Sequence, residues 1–157
     1  AAIYGAPEAR TTEVNEDGFV GVYFIGFGYN KRTGFGSQVR FAMQVRKIIG
    51  QPFEVTDIDA LIIAVEERSD YLTDQAGMES VTRFEDFESI RLRERNWVSL
   101  ASPTATSVYT HFNDEHFLSL NMMFDSKYKP SPNERMALDK VLLDITSRID
   151  IRPASVN

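Results

Sequence analysis

The chain predicts an α+β fold: a largely antiparallel sheet of about six to seven strands with two amphipathic helices, in the order β-β-α-β-β-β-β-α-β. Two observations carry this. Period-two apolar segments occur in runs and do not alternate one-for-one with helices. Helical apolar stripes occur in two places, Ile58–Leu61–Ile62–Val65–Leu72 and Leu138–Val141–Leu142–Ile145. At 157 residues, with 43% hydrophobic and 25% charged residues, the protein fits one domain with a real core.

Residues 1–17 are small and polar around Pro7 and read as an N-terminal arm. A single domain is expected over 18–153, with a tail at 154–157. Phe19 to Ile49 reads as a hairpin. Its first strand is apolar on both faces and asks for cover on both. In its second, Val39, Phe41, Met43 and Val45 alternate with Gln38, Arg40, Gln44 and Arg46, a half-solvated pattern. Thr56 is the expected N-cap of the first helix, with Asp59 reaching back and an end near Leu72, before Gly77.

Phe84 to Phe124 reads as a meander. Ile90 and Leu92 alternate with Arg91, Arg93 and Arg95, and further strands cover Trp97–Leu100 and Val108–Phe112. Asn113-Asp114-Glu115 is the next turn, and Leu118 to Phe124 a half-buried strand. Ser131-Pro132-Asn133-Glu134 sets Ser at the N-cap, Pro at the first helical position and Glu at the third. Ile149 and Ile151 alternate with charged residues as a short terminal strand stopped by Pro153.

Composition excludes several chemistries. Without cysteine there are no disulfides, thiolate nucleophiles or Cys-ligated metals. The pI near 4.9 argues against general nucleic-acid binding. The longest apolar run, Ala60 to Val65, is too short to span a bilayer. The opening Ala1-Ala2-Ile3-Tyr4-Gly5 has no initiator Met and no signal pattern, and reads either as a mature N-terminus after signal removal or as a start that is not the natural one.

Charge is concentrated. Glu54 to Glu88 holds eleven carboxylates against Arg68 and Arg83, a net −9, while the whole protein totals −6. A solvated helix face with a polar loop is the plainer account. The functional one is a docking surface for a basic protein, centred on Glu66, Glu67 and Asp70 with Tyr71 beside them. A calcium site would use Asp57, Asp59 or Asp70 with Asp74, at spacings no known calcium loop shares.

Period two places Arg91, Arg93 and Arg95 on one sheet face, either as a solvated ridge or as an anion contact. The loop from Phe27 to Gly36 combines glycines with Tyr29, Arg32 and Phe35, the composition of interface anchors. It lacks the phosphate-loop ending and the third glycine of a dinucleotide fingerprint. His111 and His116 flank a turn and read as surface residues, and no Ser sits in a nucleophile elbow. Trp97 reads as a sheet-packing residue.

Trp97, the strand Leu118 to Phe124, the capped helix from Ser131 and the ending Ser147-Arg148-Ile149-Asp150-Ile151 together resemble the PsbP-like α/β sandwich group. That group includes immunity proteins of bacterial type VI secretion. The resemblance implies sheets with flanking helices that bind rather than catalyse, and it transfers no functional residue.

The functional expectation is a non-enzymatic binding module without cofactor or metal: an immunity-type inhibitor that plugs a basic-rimmed toxin or enzyme. Its expected place is the periplasm or outside the cell, with the cytoplasm left open. The alternatives are an envelope-complex accessory and a carrier or enzyme for a small apolar ligand. The ligand cavity would lie between sheet and C-terminal helix, lined by Phe19, Phe24, Phe117, Met122 and Met123.

Overall fold

The computed structural model describes residues 8–10, 19–27, 39–50, 57–75, 77 and 84–151. Strands β1 (Glu8–Arg10), β2 (Phe19–Phe27) and β3 (Val39–Lys47) precede helix α1 (Ile58–Gln75). A 3-10 turn at Phe84–Asp86 leads into β4 (Phe87–Leu92), β5 (Arg95–Ser102), β6 (Ala105–His111) and β7 (His116–Phe124). Helix α2 (Pro132–Ser147) follows. The fold is α+β, with an antiparallel sheet and two helices.

The strands lie in the order β1-β2-β3-β7-β6-β5-β4. β2 and β3 form the expected hairpin, with Phe27 opposite Val39. The central ladder joins β3 to β7 over Val39↔Phe124 to Lys47↔His116, a pairing of segments far apart in sequence. α1 bridges this gap: it packs over β5 and β6 and carries the backbone across the sheet toward β4 at its edge.

The element order departs from expectation at both ends. Glu8–Arg10, inside the expected arm, forms a strand paired with Val22 to Phe24. Ile149 to Ile151 forms no strand. α2 closes with the Arg148 N–H donating to the Ile145 carbonyl and the Ile149 N–H to the Thr146 carbonyl. Ile149 and Ile151 then pack against the core instead of pairing with a sheet edge, so their alternation covers apolar surface.

The two helices cover opposite faces. Val39, Phe41, Trp97, Val108, Leu118, Leu120, Met122 and Phe124 pack on the α2 side around Leu142. Val98 and Phe117 pack on the α1 side with Ile48, Leu61, Ile62, Ala64 and Val65. This double cover corrects the half-solvated reading of β3 and β7. Ser119 is buried and Gln44, Arg46 and Asn121 are half-buried on the α1 side. There Arg46 Nε and Nη2 both donate to Gln44 Oε1, at 3.1 and 2.8 Å. Trp97 is buried in the core as expected.

The helix ends follow local chemistry. Asp57 caps α1: its Oδ1 accepts from the Ala60 N–H at 3.1 Å. Thr56 lies outside the described residues. At the other end Gly77 takes φ +66°, where its missing Cβ is needed, and donates to the Asp74 carbonyl. Ser131 Oγ accepts from the Glu134 N–H, while Glu134 accepts from the Ser131 N–H, so the capping box of α2 forms. Tyr128 adds a 2.6 Å hydrogen bond to the other Glu134 oxygen, which holds that carboxyl below its usual pKa.

Candidate functional site

Two features stand out, one on the outer side of α1 and one where the β4–β5 turn meets the end of α2.

At about 100° per residue, Asp59, Ile63, Glu67, Asp70 and Asp74 fall within about 80° of arc on α1. All five are exposed. Buried Leu61, Ile62, Ala64 and Val65 take the opposite side, which is why the polar positions face out. Arg68, the one base in the helix, also turns inward and is 5% exposed. The outer stripe therefore carries four carboxylates and no base, over about 22 Å at 1.5 Å per residue. Ile63 sits among them with 48% of its surface in water. Gly50 approaches from the end of β3: a Cβ there would meet Glu67 Oε2 at 2.8 Å.

Against expectation, Glu66 is half-buried at the margin of this stripe, so the patch shifts outward to Glu67, Asp70 and Asp74; Glu66 and Asp70 each have a contact of their own. The backbone of Tyr71 lies in α1, and its side chain is outside the described residues. Tyr29, Arg32 and Phe35 also lie outside the described residues.

The arginine ridge is not formed. Arg93 and Glu94 make a two-residue turn between β4 and β5, with φ of 47° and 65°. Leu92 therefore pairs with Arg95, and Arg91 with Asn96. Arg91 points to the α1 side and donates to Asn96 Oδ1 at 3.0 Å. Arg95 falls on the opposite face with Trp97 and donates from Nη1 to the His111 carbonyl at 3.0 Å. The period-two pattern ran straight through a turn that neither glycine nor asparagine marks.

That turn forms one wall of an open cleft of about 560 Å³, and Ile149, Asp150 and Ile151 form another. Trp97, Thr110 and His111 lie between them. Thr110 Oγ1 donates to the Asn96 carbonyl at 2.7 Å, so its hydroxyl is satisfied within the sheet. His111, expected on the surface, is 2% exposed. Burial pushes its pKa below the usual value, against a hydrogen bond with the Asp57 backbone, and the Arg95 charge lowers it further. The imidazole thereby ties β6 to the start of α1. His116 is half-buried, 2.9 Å from Asn113 Oδ1.

Of the side chains expected to line an apolar cavity, Phe117 faces α1 and Met122 faces α2. Those two do not share a cavity. The side chains of Phe19 and Phe24 are outside the described residues. Among the described residues no helix is long and apolar enough to cross a membrane.

No family model, curated protein or solved structure matches this sequence.

Proposed function

We propose that this protein is a non-enzymatic protein-binding module, an immunity-type inhibitor that docks a basic-rimmed toxin or enzyme outside the cytoplasm. The outer stripe of α1 is the observation that carries the reading. Four exposed carboxylates with no base among them set up a one-sign field, and exposed Ile63 supplies apolar contact at its centre. Such a stripe steers a basic partner and fixes its register on the helix.

The test begins with a mild pull-down from the source cells and identification of the partner. Association is then measured for the native protein and for Glu67→Lys/Asp70→Lys/Asp74→Lys. Electrostatic steering predicts association slowed at least about tenfold at low salt and a flatter salt dependence. Unchanged kinetics in a folded variant would sink the docking reading. Glu67→Lys alone should hold stability within about 0.5 kcal/mol, because an exposed carboxylate holds little of the fold.

A further inference from the structure

The cleft beside α2 is separate from the α1 stripe and is built differently. Its volume, about 560 Å³, lies within the ~300–1,000 Å³ typical of small-ligand sites. Leu92, Ile149 and Ile151 give it apolar surface, and the buried Trp97 lies beneath them. Arg93 and Arg95 give it two guanidinium groups from one turn.

Among the described residues neither arginine forms an ion pair. Arg95 is half-buried and makes a single hydrogen bond there, the one to the His111 carbonyl, so most of its donor fork faces no described acceptor. Two carboxylates also line the cleft. Glu94 is exposed at the tip of the turn, and Asp150 is exposed and has a contact of its own.

The turn is strained in a way a hairpin does not require. Asn-Gly closes a two-residue turn with positive φ at little cost, whereas Arg93 and Glu94 each lose about 1 kcal/mol there. Strain held at a cleft wall is a mark of placement.

We propose that this cleft binds a carboxylate attached to an apolar body. The carboxylate pairs with Arg95 and Arg93, and the apolar part lies along Leu92, Ile149 and Ile151, over the buried Trp97. Arginine suits the head group because its fork matches the two carboxylate oxygens. The carbonyl end of α2, at Thr146 and Ser147, carries partial negative charge, which places the head at the turn and the body toward the helix.

Trp97 is the sole tryptophan, so its fluorescence reports the cleft without a label. Titration of the full-length protein with octanoate should give a saturable change. Loss of a charge-assisted pair should weaken binding at least about tenfold for methyl octanoate on the native protein and for octanoate on Arg95→Met. Arg93→Gln should cost less, about threefold, because exposed ion pairs are weak. A flat titration overturns the proposal, as does equal binding of acid and ester, and the ester comparison needs no variant to fold. A free fatty acid and the terminal carboxylate of a peptide share this chemistry. Acetyl-Ala-Leu with a free carboxylate separates them: tighter than octanoate, it assigns the cleft to peptide ends, and weaker, to small acids.

Discussion

The guanidinium of Arg135 stands 4.8 Å from the ring centroid of Phe124, joining the first turn of α2 to the last residue of β7. The same group donates from Nη2 to the carbonyls of Ser102 and Ala105, at 2.9 and 3.1 Å, and to Thr106 Oγ1 at 2.6 Å. Thr106 in turn donates to Asp139 Oδ1 at 2.9 Å, and Asp139 lies 3.4 Å from Arg135 Nε. One side chain thus docks α2 on the β5–β6 hairpin and on the core aromatic. Arg135→Met keeps the apolar stem and removes the fork. It should lower the unfolding free energy by about 2 kcal/mol in urea titrations. The exposed Arg148–Asp144 pair is the contrast, and Arg148→Ala should change stability by under about 0.5 kcal/mol.

His111 makes stability depend on pH. Its pKa in the folded protein lies below 6.5, and on unfolding it returns there. Below pH 6.5 the unfolded state therefore binds more protons, and stability falls as the pH drops toward the folded value. His111→Gln removes this term. Urea unfolding from about pH 7.5 down to about pH 5 should show the gap between native and variant narrowing. A gap constant with pH would mean that His111 does not carry the dependence.

The β4–β5 turn trades stability for one cleft wall that bears two arginines. Replacing Arg93-Glu94 by Asn-Gly relieves two left-handed residues and should raise unfolding free energy by about 1–2 kcal/mol. The same variant should weaken octanoate binding in the cleft. A variant no more stable than the native protein would show the turn to be unstrained.

Legibility followed the range of the forces. The capping box at Ser131 and Glu134 needs only residues three apart, and it formed as read. The α1 stripe needs only helical periodicity, so Leu61, Ile62 and Val65 were correctly turned inward. Arg93 was misread because its turn holds no residue that favours positive φ. His111 was misread because its burial comes from α1, whose start lies far from it in sequence. The Arg135 cluster left no short-range signal, since Ser102, Ala105 and Thr106 are about thirty positions away.

By itself the sequence determined the α+β class, the two amphipathic helices, the start of α2 and the acidity between Glu54 and Glu88. These rest on local hydrogen bonding and on periodicity within a single element. The pairing of β3 with β7, the cover of each sheet face by one helix and the inward turn of Arg68 were decided by tertiary structure. So was the separation of Arg91 from Arg95 onto opposite faces. They depend on which distant apolar surfaces bury each other, and hydrophobic burial is set by area removed from water and carries no sequence direction.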